Sequence, residues 1–423
     1  MQPNARRIIE NLDEPEALEA LYRQEPESFR AALNEASAEV PDSTTLRVWR
    51  ARIEYREPAV SFRDRRLWYA IAIGLGVGAL IRIPAIWLGE AWYYPRLAPS
   101  LVILGLAAYF WLQDRDRRML LGGLALAVVA AGFISFLPSP AAAGAATQIE
   151  YPDSVVMALI HLPILFWVFL GWVFAGASWR NAEARVRFIR YNGELLVLAS
   201  LVGLGGMVFS GITVALFQLL RDNAAEWYFQ NVGIVGAAAV PLAGTYLYDV
   251  VFNRRTGIAS VLARVFAPLF LIMTGAYLTV ALIGGQNPFV DRSFLITVNG
   301  LLLVVLAMTV LSIAERPEQA RVSWIDYINV ALLAVTLVID LIALSAIVFR
   351  LGSYGFTPNR IVVLGANVVV LAHLAWTCLA YAVFVRAKTS TAGIRRAVAG
   401  YLPVYAGWAA LVVFVLPFVF GFA

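Results

Sequence analysis

Residues 324–349 read WIDYINVALLAVTLVIDLIALSAIVF, a stretch in which Asp326 and Asp340 are the only charged residues. An α-helix rises about 1.5 Å per residue, so about 20 apolar residues cross the roughly 30 Å hydrocarbon core of a bilayer. The stretch therefore predicts a transmembrane helix. Asp340 lies about ten residues before the end of this helix at Arg350, and this depth of roughly 15 Å predicts a carboxyl group near the bilayer midplane.

The same pattern recurs along most of the chain. Segment 97–113 is the shortest of eleven that are long and apolar enough to span a bilayer. The eleven segments are 67–89, 97–113, 117–137, 154–177, 193–220, 231–252, 258–284, 293–314, 324–349, 359–385 and 397–421. The sequence thus predicts an all-α, polytopic membrane helix bundle of about eleven transmembrane helices, with the lipid bilayer as its surroundings.

Composition supports this division of the chain. Hydrophobic residues make up 61% of the 423 residues and charged residues 14%, whereas soluble domains average about 25% charged. Residues 1–66 alone carry 11 arginines and 13 acidic residues. We therefore predict two parts, a helical cytosolic segment over residues 1–66 and a transmembrane domain over residues 67–423. This composition excludes a soluble enzyme with a single anchor.

Basic residues near the span ends predict the orientation, because Lys and Arg concentrate on the cytoplasmic side. With the N-terminus inside, twenty basic residues flank the inner ends of the spans and five flank the outer ends. The C-terminus is then outside. Basic residues comprise 32 arginines and one lysine, which is typical of a GC-rich bacterial genome. The predicted location is the bacterial inner (cytoplasmic) membrane.

The first 66 residues carry helix signals of the kind seen in soluble proteins. Asp13 is predicted as an N-cap before Pro15, and Pro26 and Ser43 mark the starts of two further helices. Three short helices bury only a small core. The alternatives are a small bundle, a module that docks a partner or regulates the protein, and an interfacial placement of the third helix, which combines tryptophan with arginines.

Polar residues inside the predicted spans form the first candidate site. Asn329 and Thr336 share one helix face with Asp340, and the next span, predicted to be its antiparallel neighbour, carries Asn367 and His373. A charged group in the membrane is costly, which favours a functional role. An Asp–His pair can bind or relay a proton, because histidine titrates near neutrality. The alternative is that these groups hydrogen-bond the helices together.

A second candidate site lies at the predicted outer ends of the spans. Arg82 precedes Pro84 in the first span, and Glu90 follows at its outer boundary. A proline-interrupted helix beside a charge is a weak pointer to a transporter site, and the alternative is that Arg82 snorkels to the headgroups. The outer loop after the ninth span contributes the other members of this predicted outer mouth, which are Arg350, Tyr354, Asn359 and Arg360.

This outer loop, RLGSYGFTPNR over residues 350–360, lies between an Asp-bearing span and a span with Asn and His. Together with LYRQEPESF over residues 21–29, it resembles the uncharacterised bacterial membrane proteins grouped as domain of unknown function 4153. The resemblance covers most of the chain and implies a polytopic inner-membrane protein, sometimes described as a permease. It supplies no substrate and no catalytic residues. From the residues alone, the loop is either a well-formed helical hairpin or a rigid outer gate.

The leading hypothesis is a permease-like secondary transporter of a small solute, coupled to protons through Asp340 and His373. The second is a non-catalytic envelope, membrane-assembly or regulatory protein that docks a partner through its N-terminal helices. An intramembrane enzyme acting on lipid ranks last, because no catalytic motif is visible. With two histidines and one cysteine, we predict no metal and no cofactor. We also predict no nucleic-acid partner, and the small-residue spacings would allow a homo-oligomer.

Overall fold

A computed structural model describes residues 3–54, 62–139, 141–143, 148–218, 223–254, 257–283, 292–314, 316, 319–388 and 390–422. The chain forms two compact units, Met1–Val60 and Ser61–Ala423. The predicted boundary lies after residue 66. The segment between the last N-terminal helix and the first span includes residues 55–61, which lie outside the described residues.

The N-terminal unit contains four helices, α1 (Pro3–Glu10), α2 (Pro15–Gln24), α3 (Pro26–Glu39) and α4 (Thr44–Glu54). The sequence prediction missed α1, and the predicted cap was wrong, since Glu14 and not Asp13 occupies the N-cap of α2.

The predicted apolar faces do form a core in this unit. The rings of Phe29 and Trp49 lie 5.0 Å apart, and Leu18 and Leu33 are buried with them. Outside this core, hydrogen bonds from Arg23 and Arg52 lower the pKa of Glu19 from its ordinary value.

The second unit is a helix bundle with eleven described helical segments that are long and apolar enough to cross a membrane. The predicted fold class is therefore confirmed. Helices α9 and α14, with 37 and 31 residues, are longer than a bilayer requires. The helices of this unit are, in chain order, α5 (Arg65–Leu88), α6 (Glu90–Asp114), α7 (Arg117–Phe136), α8 (Asp153–Ala175), α9 (Ala182–Gln218), α10 (Ala224–Tyr228), α11 (Ile234–Tyr246), α12 (Ile258–Ile283), α13 (Arg292–Ala314), α14 (Trp324–Tyr354), α15 (Pro358–Ala387), α16 (Ala392–Gly400), α17 (Leu402–Phe414) and α18 (Leu416–Val419).

Four short elements interrupt this pattern in the described residues, one of them a 3₁₀ turn at Gly176–Ser178 after α8. A two-stranded antiparallel ribbon, Ala141–Ala143 and Gln148–Glu150, follows α7. π-Helical turns at Phe229–Gly233 and Leu247–Val251 flank α11, so α10, α11 and both turns make one continuous span. π-Helical turns of this kind are often found at functional positions in helices.

Two apolar cores hold the bundle together. One is built on α13, α14, α15 and α16, and the other on α6, α8, α9 and α11. Helix α9 belongs to both, because Val186 and Ile189 pack into the first core, while Phe188 and Tyr191 pack into the second. This arrangement places α14 and α15, which carry the first candidate site, against each other inside the first core.

Candidate functional site

Helices α14 and α15 form a tight antiparallel hairpin. At the start of α14, the Ser323 backbone N–H donates to the Asp326 carboxylate in a capping box. At the other end, Gly355 adopts a positive φ of 80°, which favours glycine. Thr357 then caps α15 by accepting a hydrogen bond from the Arg360 backbone N–H, as the sequence predicts. The loop between the two helices is therefore short and well formed.

A buried hydrogen bond defines the register of this helix pair. The Asn329 amide donates to the Tyr381 hydroxyl over 3.1 Å. In an antiparallel helix pair, a residue some number of positions after such a contact in one helix lies at the same depth as the residue that many positions before it in the other. Asp340 comes 11 residues after Asn329, and Val370 comes 11 residues before Tyr381. Because each step rises about 1.5 Å in both helices, Asp340 lies level with Val370. The register therefore places the Asp340 carboxyl well inside the bundle.

Asn367 and His373 lie three residues on either side of that level, which is about 4.5 Å in each direction. The two residues thus bracket the depth of Asp340 in the structure. The hydrogen bond of His373 goes to another helix. His373 Nδ1 contacts the Tyr405 hydroxyl at 2.8 Å, and its ring stacks on Tyr401 with the centroids 4.4 Å apart.

The aromatic side chains of α17 and its N-cap thus hold the imidazole, and a proton relay between Asp340 and His373 stays a prediction. Asn367 likewise donates to the Val363 carbonyl of its own helix. Asn329 contacts Ser312 on α13 in addition to Tyr381 on α15. Of the five predicted residues, Asn329 and His373 thus connect helices, which is the role that the alternative reading gives to all five.

Asp340 is the acidic residue of this group and, like the buried Nε2 atom of His373, it lacks hydrogen-bond partners in the described part of the chain. Its side chain is fully buried, and neither carboxylate oxygen has a hydrogen-bond partner among the described residues. The buried hydroxyl of Thr336, one turn earlier on the same face, also has none there. A buried carboxyl without a partner is costly in a membrane protein and is by default a functional candidate.

A cleft opens at the end of the bundle where the α14–α15 loop lies. It has a volume of about 500 Å³ and is lined by polar side chains from α8, α13, α14 and α15, namely Asp153, Asn299, Arg350, Thr357, Asn359 and Arg360. The Arg360 guanidinium donates to the carbonyl oxygens of Tyr354 and Gly355, at 2.7 and 2.8 Å. Backbone carbonyls fix the direction of this cation without neutralising its charge.

A smaller open cavity of about 100 Å³ lies beside the cleft, with the exposed Leu303 in its wall. It shares Asn299 and Val363 with the cleft and extends along α15 to Asn367 and Val370. Since Val370 is level with Asp340, this cavity reaches the depth of the buried carboxyl, although Asp340 itself lines neither cavity. Within the residues described, the cavity lining places one amide, that of Asn367, near the same depth as this carboxyl.

Arg82 and Glu90 lie in a different place. The Arg82 guanidinium donates to Glu90 at 2.7 Å, to Asn231 at 3.2 Å and to Tyr94 at 3.4 Å. Neither charged residue lines the cleft. The structure therefore divides the predicted outer mouth into two groups. Arg350, Asn359 and Arg360 line the cleft, the carbonyl of Tyr354 orients Arg360, and Arg82 with Glu90 forms a separate ion pair.

Sequence reasoning did not select every polar residue of importance. Arg96 is buried on α6, where it donates to the Tyr151 hydroxyl at 2.6 Å and to the Pro138 carbonyl at 2.7 Å. Glu194 is buried on α9 and accepts a hydrogen bond from the backbone N–H of Ala259 at the start of α12. Asp153 lines the cleft, although it marks only the beginning of a span in the sequence. Distances across the bundle, which no local pattern encodes, decide all three.

Among the described residues, no three His, Cys, Asp or Glu side chains converge in a way that could hold a metal ion. Comparison with known protein families, with characterised proteins and with solved structures finds no match to this chain. The geometry of the cleft and of the buried carboxyl therefore carries the functional argument.

Proposed function

We propose that this protein is a secondary transporter that moves a small solute through the cleft between α13, α14 and α15, coupled to proton binding at Asp340. The observation that carries the proposal is the buried Asp340 carboxyl, which has no partner among the described residues and lies level with the cavity beside the cleft. A carboxyl of this kind can bind and release a proton during a transport cycle. The opening of the cleft beside the α14–α15 loop gives the solute its way in.

The charges of the cleft describe the solute in general terms. Arg360 provides a cation whose hydrogen bonds go to backbone carbonyls, and Arg350 and Asp153 add one charge of each sign. Guanidinium groups bind carboxylate or phosphate oxygens through paired hydrogen bonds. Asn299 and Asn359 add side-chain amides that can donate or accept hydrogen bonds. The proposed solute is therefore small and polar, with at least one anionic group.

The cellular setting belongs to the same proposal. We place the protein in a bacterial inner membrane with the N-terminus in the cytoplasm and the cleft open to the outer side. We also place it with the proteins grouped as domain of unknown function 4153. A reporter fused after the last residue tests the orientation, because activity only on the outer side fits the proposal and activity in the cytoplasm contradicts it.

Transport is tested in proteoliposomes that enclose a pH-sensitive dye. A panel of small organic anions and zwitterions is first screened for ligands that raise the unfolding temperature of the purified protein. The ligands are then added outside the vesicles, and we expect them to acidify or alkalinise the lumen. Asp340→Asn should abolish the pH change, whereas Glu90→Gln, which alters a charge outside the cleft, should retain it. An unchanged signal in Asp340→Asn would contradict proton coupling at this residue.

A second candidate function rests on the N-terminal unit. Residues 1–60 form a compact unit with its own aromatic core, which is the kind of module that docks a protein partner. In that case, deletion of residues 1–60 removes a co-purifying protein and leaves transport intact. If the deletion instead abolishes transport and no partner is lost, the N-terminal unit serves the transporter itself.

A further inference from the structure

An apolar groove that shares no lining residue with the cleft lies between α7, α8, α9 and α17. Its volume is about 550 Å³. Leu126, Leu165, Phe169, Phe188 and Leu402 are among the side chains that line it. A groove with these walls on a membrane helix bundle fits a hydrocarbon chain, because it offers dispersion contacts and no polar partner.

One end of this groove is cationic. Trp179 and Arg185 line the groove there, just after α8 and within the first turn of α9. The Arg180 and Arg185 guanidinium groups lie 5.5 and 5.9 Å from the centre of the Trp179 ring. Tryptophan with arginine at the end of a span is typical of the level of lipid headgroups.

The contacts of Arg185 leave its charge available. Its guanidinium donates to the carbonyl oxygens of Trp179 at 2.9 Å, Ala399 at 3.3 Å and Arg180 at 3.5 Å. All three acceptors are neutral backbone atoms, so they orient the side chain without an ion pair. The acidic residue nearest in sequence, Glu183, forms an ion pair with Arg395 instead.

We propose that this groove binds one anionic glycerophospholipid. Its phosphate would sit at Arg180 and Arg185, and an acyl chain would lie along Leu126, Phe169 and Leu402. The combination decides the class of ligand, since the groove selects hydrocarbon and the two guanidinium groups select an anionic headgroup. This site shares no lining residue with the transport cleft, so the lipid proposal can be tested independently of the proposed function.

Native mass spectrometry of the purified full-length protein tests the site with two lipids of matched acyl chains, phosphatidylglycerol and phosphatidylcholine. We expect one phosphatidylglycerol to be retained in preference to phosphatidylcholine. Arg180→Gln and Arg185→Gln should each weaken phosphatidylglycerol retention about 5-fold, because one arginine at a membrane surface contributes about a factor of that size. Equal retention of the two lipids by the unaltered protein overturns the proposal.

Matched variants distinguish the effect of charge on lipid retention from the effect of groove shape. Arg185→Lys keeps the charge and should retain most of the preference, and Arg386→Gln removes an arginine elsewhere and should change nothing. Ala406→Phe fills the groove and should weaken both lipids, whereas Val404→Phe, on the same helix but outside the groove lining, should leave them unchanged. Unaltered binding in Ala406→Phe overturns the location.

Arg185 also hydrogen-bonds the backbone carbonyls of Trp179 and Ala399, so Arg185→Gln could prevent folding. In that case, lipid retention by Arg180→Gln tests the proposal. The Arg180 side chain contacts only the Trp179 ring in the described part of the chain. Retention of phosphatidylglycerol by folded Arg180→Gln at the unaltered level contradicts a role for this guanidinium at the phosphate.

Discussion

Two helix pairs in this bundle differ in whether each charged side chain has a charged partner. In the α5–α11 span pair, Arg82 is held by Glu90, and the Asp249 carboxylate is held by Arg254 at 2.5 Å. In the α14–α15 pair, Asp326 forms an ion pair with Arg316, but Asp340 has no partner among the described residues. Fourteen residues apart on one helix, one aspartate is compensated and the other is not.

The paired charges have a structural explanation. The π-helical turns at the two ends of the sixth span carry Asn231 and Asp249, which contact Arg82 and Arg66 of α5 respectively. These contacts fasten α5 to its neighbour at both ends. No comparable contact explains Asp340. Arg82, Asp249 and Asp326 each have a charged partner, whereas Asp340 has none among the described residues and is therefore the functional candidate.

The largest expected effect comes from breaking the buried ion pair on α14. Asp326→Asn removes the charge that compensates Arg316, and both side chains are less than a tenth exposed. We expect the free energy of unfolding to fall by about 3–5 kcal/mol, because an uncompensated arginine would remain buried. Unfolding in nanodiscs measures the loss. Asp114→Asn, on an exposed residue, is the control and should change stability by less than about 0.5 kcal/mol.

A smaller loss is expected in the α5–α11 region from Asp249→Asn. Asp249 also accepts hydrogen bonds from the Tyr109 hydroxyl at 3.0 Å and from the Gln113 amide at 3.3 Å. Because Arg254 is about half exposed, water can compensate part of its charge. We expect a loss of about 1–3 kcal/mol in the same unfolding assay. A variant as stable as the unaltered protein would remove the structural explanation for this charge.

Helix packing gives a third, more local test of the same region. A Cβ atom on Gly78 would lie 2.8 Å from the Val235 Cα atom, whereas one on Gly76 would meet nothing within 4 Å. Gly78→Ala should therefore cost about 1 kcal/mol or more, because the backbones of α5 and α11 must separate. Gly76→Ala should be neutral or slightly stabilising, since alanine favours a helix over glycine. Equal effects of the two substitutions would contradict the close approach.

How far the sequence predicts this molecule depends on the range of the interaction. Apolar length predicts the eleven spanning segments of the described chain, and the outer loop over residues 350–360 predicts a helical hairpin as one of two alternatives, because both signals are local. The depth of Asp340 follows from the helix rise alone. The partner of His373 does not, because Tyr405 is 32 residues away on another helix. Nor does the separation of Arg82 from the cleft, which depends on where α5 packs.

The central claim is that Asp340 is retained for function and contributes no stabilising contact. Thermal unfolding of Asp340→Asn beside Asp249→Asn in the same nanodiscs tests it without knowledge of the solute. The account predicts that Asp340→Asn unfolds at the same temperature as the unaltered protein or a higher one, while Asp249→Asn unfolds at a lower temperature. A fall in Asp340→Asn as large as that in Asp249→Asn would show that this carboxyl is a structural joint and would contradict the account.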